Sequence, residues 1–365
     1  MILLQVLEAS PCHPEAFFWL SNQLDLSQEQ SLIKKLELCY ENNSPNLSND
    51  YSFLCYALAK LREDQHRYFD AFNLYDQANK CRQSELNLFR TDYNIYLGQS
   101  RLHRDLFEPL SKMPNYVLGS SIGKDLIFIV GLPRCGSTLV EAILSMSGNA
   151  ECFGESGYLQ ESISAIGILG EIERGNLDNA QIHHKFSLVN AVYNEKVSCK
   201  KNLKIDKTLT NFYLAGLISR IWPAAKIIHV KRSPMDQILS AWKSRFRKGH
   251  SYTLNLNDLI KVYISYKNLM DFWEINLGSR IYTCQYEELV TNPIRQTKKL
   301  AIYCGIEWNE KMLSPKDSKL LIKTASFKQV REPIYDSSIG AWKNYYPQLE
   351  KYAQKLVDES IDIDF

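Results

Sequence analysis

A chain of 365 residues that is 45% hydrophobic and 23% charged is ordinary for a folded soluble protein, and long enough for one large α/β domain with a smaller companion. Its formal net charge of +2 gives no bulk electrostatic reason to expect nucleic acid or an anionic membrane as partner. Nine cysteines, none in a C-x-x-C pair, point to reduced thiols in a cytoplasmic setting and away from a structural zinc site.

The opening MILLQVLEAS reaches Glu8 after too short an apolar run, and with no basic flank, to act as a signal peptide. No stretch has the roughly 18 uninterrupted apolar residues of a membrane span. Up to about residue 115 the pattern is helical, and Gly98 is the only glycine among the first 118 residues. Segments 28–41, 51–64 and 67–81 carry apolar positions three and four apart. Residues 51–81 read as helix–turn–helix, with small Ala57, Ala71 and Ala78 where two helices approach closely. That pair, with its Tyr68…Ala71…Ala78 pattern, resembles a tetratricopeptide repeat. A single such unit caps a neighbouring domain or offers a small surface to a protein partner. Residues 1–115 are therefore expected to be an all-α segment.

Beyond Lys124, short β-branched runs alternate with helical stretches. Leu126–Val130, Lys226–Val230 and Arg280–Cys284 read as buried strands, and 209–221 and 256–272 as helices between them. The alternation predicts an α/β fold over 116–365, a parallel sheet flanked by helices with ligands at the carboxyl ends of its strands. The first strand runs into GLPRCGSTLV, whose Gly131 and Gly136 have the spacing of a G-x-x-x-x-G-K-[ST] phosphate loop. Strand, glycine turn and helix start bring backbone N–H groups and a helix dipole to one anion. The lysine position holds Ser137, and Arg134 sits inside the turn. Such a P-loop-type turn without its triphosphate lysine points away from ATP or GTP hydrolysis and toward a phosphosulfate donor.

GLPRCGSTLVEAIL, Phe153–Glu155, Asp206–Ser240, Tyr286–Pro293 and Thr324–Trp342 together resemble, in order, the motifs of sulfotransferases. The likeness is greatest to the bacterial class that joins a tetratricopeptide-like start to a protein-tyrosine-sulfotransferase-like domain. It implies 3′-phosphoadenylyl sulfate (PAPS) as donor and 3′-phosphoadenosine 5′-phosphate (PAP) as product. Arg134, Cys135, Gly136, Ser137 and Thr138 would hold the 5′-phosphosulfate, where amides, hydroxyls and a guanidinium all donate. Arg232 at a strand end and Ser240, eight residues on and past Pro234, would grip the 3′-phosphate. Tyr286, Ser326, Gln329, Arg331 and Tyr335 would complete the nucleotide pocket. Glu155, seventeen residues beyond Thr138, matches the general base, with Glu151 as its neighbour in sequence. Lys207, sixteen residues before Pro223, matches the lysine on the leaving phosphate, with Lys204 the rival.

A sulfuryl group carries one negative charge fewer than a phosphoryl group, so Arg134, Lys207 and loop amides can suffice and no metal is expected. Neither Leu126–Val130 nor Lys226–Val230 ends in an aspartate that would hold Mg²⁺. Two departures from the family stand out. Ala341 precedes Trp342 where a basic residue is usual, leaving Lys343 or Arg331 as substitutes. The arginines that follow the base in protein-tyrosine sulfotransferases are absent from Glu155-Ser156-Gly157-Tyr158, with Lys243, Arg245, Arg247 and Lys248 as another basic run. A peptide tyrosine, a glycan hydroxyl and a small alcohol all remain open as acceptor. Two other classes compete: a P-loop kinase, which needs the missing lysine and carboxylate, and a non-catalytic helical-repeat adaptor that keeps a nucleotide-binding fold.

Overall fold

The computed structural model describes residues 2–43, 49–85, 92–113, 121–175, 177–246, 249–318, 320 and 332–363. Six helices open the chain: α1 (Ile2–Ala9), α2 (Pro14–Gln23), α3 (Gln30–Asn42), α4 (Asn49–Asp64), α5 (Tyr68–Glu85) and α6 (Asp92–Lys112). The α4–α5 turn passes through His66 in the left-handed region, with φ 60°. Ala57, Ala71 and Ala78 are fully buried, as expected for closely packed helices. Leu7, Phe17, Leu20, Leu36, Leu54 and Leu61 form much of the core beneath α1–α4. Cys12 and Cys39 are joined, their Cα atoms 5.5 Å apart, which corrects the expectation of nine reduced thiols. A separation of 27 residues gives no local signal of such pairing, and helix packing makes it. The other seven cysteines are free.

Among the described residues five strands follow: β1 (Leu126–Val130), β2 (Ala150–Cys152), β3 (Leu203–Asp206), β4 (Lys226–Lys231) and β5 (Ile281–Gln285). They form one parallel sheet in the order β2-β3-β1-β4-β5, with Ile127 opposite Ile205 and Phe128 opposite Ile227. Three strands were legible in the sequence; β2 and β3 were not. β2 has three residues and β3 reads LKID, so neither carries a long apolar run. Both faces of the central strands β1 and β4 are buried, the parallel-sheet condition. Ile127 and Ile129 pack with Val140, Ile143 and Leu300. Phe128 meets Tyr193 and Trp222, with ring centroids 5.9 and 5.7 Å apart.

Between the strands run α7 (Ser137–Ser145), α8 (Tyr158–Ile166), α9 (Ile168–Glu173), α10 (Asn179–Lys196), α11 (Ala215–Ile221), α12 (Pro234–Trp242) and α13 (Leu256–Leu277). The stretch expected as one helix over 209–221 opens as a 3-10 turn, Leu209–Leu214, before α11. After β5 come α14 (Tyr286–Thr291) and α15 (Pro293–Cys304), and a last helix spans Tyr346–Asp358. No helix among the described residues is long and apolar enough to cross a membrane.

The packing units interleave along the chain. One gathers Met1–Ile95 with Pro234–Val262 and Gly340–Asp364, and the other holds Tyr96–Ser233 and Tyr263–Ile339. A cut near residue 115 thus describes the order of elements and not the units in which they pack. The whole sheet lies in the second unit.

Candidate active site

Each of the five parallel strands delivers one candidate residue just past its carboxyl end. Arg134 follows β1 by four residues and Glu155 follows β2 by three; Lys207, Arg232 and Tyr286 come directly after β3, β4 and β5. From β1 the chain crosses toward β2, and from β4 toward β5, so connections leave these adjacent strands in opposite directions. Such a switch point opens a crevice at the carboxyl edge. Arg134 and Arg232 flank it.

The glycine turn is held by close contacts. Gly136 has φ 102°, and a Cβ there would stand 2.5 Å from Cδ2 of Tyr286. Arg134 adopts φ 69°, a conformation that costs a non-glycine residue about 1–3 kcal/mol and clusters at ligand sites. α7 begins at Ser137 and aims its N-terminus into the turn. Burial first, and then the neighbouring Arg232 guanidinium, pull Arg134 down to about 10. It stays cationic at neutral pH, beside a second cation.

Arg232 is 7% exposed. Nη1 donates to the Arg134 carbonyl and Nη2 to the Ser338 carbonyl, each at 3.1 Å, and its buried Nε has no hydrogen-bond partner among the described residues. The guanidinium lies 4.8 Å from the centroid of the Tyr286 ring, whose hydroxyl is 3.0 Å from Ser338 Oγ. Glu287 fixes the bend beyond Arg232 by accepting the Ser233 N–H at 2.8 Å. Arg134, Gly136, Arg232 and Tyr286 line an open cleft together with Thr138, Leu139, Val290, Glu332 and Tyr335.

One strand over, past the end of β3, lies the second group. Lys207 is 1% exposed and places Nζ 2.9 Å from Oε1 of Glu155, whose side chain is 42% exposed. Lys204, the rival lysine, is on β3 and pairs with Asp125 at 2.9 Å. Glu151, on β2, is exposed. Asp206 closes β3 and accepts from Tyr193 Oη at 3.0 Å, the Thr208 N–H at 2.9 Å and Asn211 Nδ2 at 3.3 Å. Because β3 was missed, this strand-end carboxylate was missed too. Its three bonds brace the turn that carries Lys207, and burial raises its pKa.

The structure thus brings together Arg134, Gly136, Thr138, Arg232, Tyr286 and Tyr335, and separately Glu155 with Lys207. Ser137 is buried at the start of α7. Cys135 does not join the cleft lining: its thiol is in the core and its N–H donates to the Leu132 carbonyl at 3.3 Å. Ser240 is on α12, in the other packing unit from Arg232. Ser326, Gln329 and Arg331 lie outside the described residues. In the helical unit, Lys243 pairs with Glu63 at 2.6 Å and Arg245 covers Phe53 at 3.8 Å, so both have structural work; Arg247 and Lys248 are outside the described residues. Trp342, after Ala341, is buried and donates its N–H to Asp236 at 2.9 Å. Residues the sequence reading passed over are Asp206, Glu287 and Glu141, the last an acid inside the otherwise apolar stretch LVEAIL. That setting was the available signal.

The sulfotransferase family model matches residues 125–310, which is half of the chain, and the chain belongs to the sulfotransferase family. An uncharacterized protein of Aquifex aeolicus (strain VF5) is 24% identical over 339 residues, covering 84% of this chain and 44% of its own length. The chain therefore spans less than half of that relative. Among solved structures, the sulfotransferase domain of the Synechococcus PCC 7002 olefin synthase is 17% identical, covers 62% of this chain and 94% of its own, and has a TM-score of 0.41. Sulfotransferase STF9 from Mycobacterium avium is 8% identical over 93% of this chain and 98% of its own, with a TM-score of 0.39.

Proposed function

We propose that this protein transfers the sulfuryl group of PAPS to an acceptor hydroxyl in one in-line displacement. The observation that carries the reading is the Lys207–Glu155 pair, 2.9 Å apart although 52 residues separate them, beside a cleft walled by two arginines. In this reading Arg134, Thr138 and the glycine turn meet the 5′-phosphosulfate, and Arg232 the 3′-phosphate. Tyr286 and Tyr335 line the nucleotide's place, and the buried Nε of Arg232 is a donor suited to a phosphate oxygen.

Glu155, the exposed partner of the pair, takes the acceptor proton as the acceptor oxygen attacks sulfur. Lys207 donates to the oxygen bridging sulfur and the leaving phosphate, where charge develops. PAP leaves with the electron pair of the broken S–O bond. Positioning and fixed charge supply the acceleration. The acceptor is a hydroxyl of a peptide tyrosine, a glycan or a small alcohol, and the α4–α5 hairpin, with its tetratricopeptide-like small-residue pattern, is a candidate partner surface.

The test uses [³⁵S]PAPS with a lysate or metabolite pool, alongside calorimetry with PAP in the absence of Mg²⁺. Expected are labelled products and PAP binding. Binding of ATP–Mg²⁺ with none of PAP would overturn the reading in favour of a kinase, and PAP binding with no transfer to any pool would favour an adaptor.

A further inference from the structure

Glu141 lies on α7 in the stretch STLVEAILS, 4% exposed, where its neighbours along the helix pack into the core. A carboxylate in that setting is costly unless paired. Its Oε1 accepts the Gly154 N–H at 3.2 Å, and its Oε2 is 3.8 Å from Lys207 Nζ. The Gly154 carbonyl in turn accepts the Lys207 N–H at 3.0 Å. One side chain therefore ties together the residue before Glu155 and the ammonium that faces Glu155. Burial, the largest effect, raises Glu141, while Lys207 and the Gly154 amide act the other way.

Lys207 has two counter-charges of unlike exposure, Glu155 at 42% of its side chain and Glu141 at 6%. Under the sulfotransfer reading, on which this inference rests, Glu155 becomes neutral as it accepts the proton. Lys207 must stay cationic at that moment, and a buried ammonium without an opposite charge sheds its proton more readily. We propose that Glu141 is a positioning residue for the transfer: it supplies the standing counter-charge of Lys207 while Glu155 gains and sheds the acceptor proton, and it anchors the Gly154 turn that aims Glu155. The acceptor O–H bond breaks as the O–S bond forms, the proton passes to Glu155, and the S–O electron pair leaves with PAP. Glu141 keeps its protonation state throughout.

Among the described residues Cys135 in the glycine turn and Cys152 on β2 also interact electrostatically with Lys207, both thiols pushed up by burial and so neutral. Asp206 also faces Glu141. Transfer rates against pH, PAP calorimetry and hydrogen exchange over residues 150–156 separate the possibilities. Glu141→Gln should bind PAP like the parent, lose about tenfold or more in kcat with donor KM unchanged, and move the alkaline limb of the rate profile about one unit lower. Its amide oxygen still accepts from Gly154, so exchange there stays slow. Glu141→Asp should restore the limb, and Glu141→Ala should speed exchange over 150–156. A folded Glu141→Gln enzyme with the parent's limb overturns the proposal, whether or not kcat falls. If Glu141→Gln fails to fold, a shifted limb in Glu141→Asp overturns it. Absence of transfer by the parent itself would instead sink the functional reading, and the exchange experiment would still decide the anchoring of Gly154.

Discussion

Arg232 and Lys207 both follow the last residue of a parallel strand and both are buried, yet their charges are treated differently. Arg232 gives two N–H groups to neutral carbonyls and stacks on Tyr286, and among the described residues no carboxylate pairs with it. Lys207 faces Glu155 and Glu141. A cation whose described hydrogen-bond acceptors are neutral carbonyls, beside another cation, Arg134, is suited to a ligand that brings its own negative charge. A cation held by two carboxylates is suited to a charge that appears only during reaction. In the proposed function these are the binding end and the reacting end of one sheet edge.

The comparison breaks most sharply at Lys207. Lys207→Ala should cut transfer by about 10²–10³ or more and leave PAP binding near the parent's value, because its interaction belongs to the transition state. An equal loss of PAP affinity would erase the division between the two ends. Glu155→Ala should likewise keep PAP binding and lose about 10²-fold or more in kcat, the usual scale of general base catalysis.

Arg232→Ala should do the reverse and weaken PAP about 100-fold in calorimetry, since a charge-assisted contact is worth up to ~3 kcal/mol. Arg232→Lys should recover only part, lacking the planar fork and the ring stacking. A variant that still binds PAP like the parent would remove Arg232 from the binding end. Gly136→Ala is expected to cost about 1–3 kcal/mol in urea unfolding through its positive φ, with the Tyr286 ring displaced as well. Donor affinity should fall with it, and a normal affinity would mean the turn does not shape the site.

The smallest effect concerns a pair outside both ends. Glu274 is held down to about 2, chiefly by its hydrogen bond with His229, 2.9 Å away. Its folded pKa lies below the unfolded carboxylate value of about 4.3, so the stabilisation is present above that value and fades as pH falls toward 2. Between pH 6 and pH 3 the parent should lose more of its urea midpoint than Glu274→Gln. Equal losses would remove Glu274 from the acid response, and PAP binding at neutral pH serves as the control that should not change.

Legibility followed local pattern. β1 and β4 are runs of buried β-branched or apolar residues, β5 is a mostly apolar run of which Ile281 and Cys284 are buried, and the glycine turn announces itself by Gly131 and Gly136. β2 and β3 carry Glu151, Lys204 and Asp206 among few apolar residues, and they become strands by pairing, β3 with β1 and β2 in turn with β3. Missing β3 hid Asp206, and reading α7 as an apolar pattern hid Glu141. The Cys12–Cys39 pair was likewise invisible, because no short spacing links the two residues.

What the sequence determined by itself was the set of chemical parts: a strand-turn-helix with an arginine in place of a lysine, a strand-end arginine, and a glutamate and lysines at fixed intervals. Tertiary structure decided which of those parts meet. Pairing of β3 between β2 and β1 leaves Lys204 inside the strand, beside Asp125, and brings Lys207 past its end to Glu155. The same packing turns Glu141 toward both, because a helix face acquires its neighbours only when the sheet beneath it has formed.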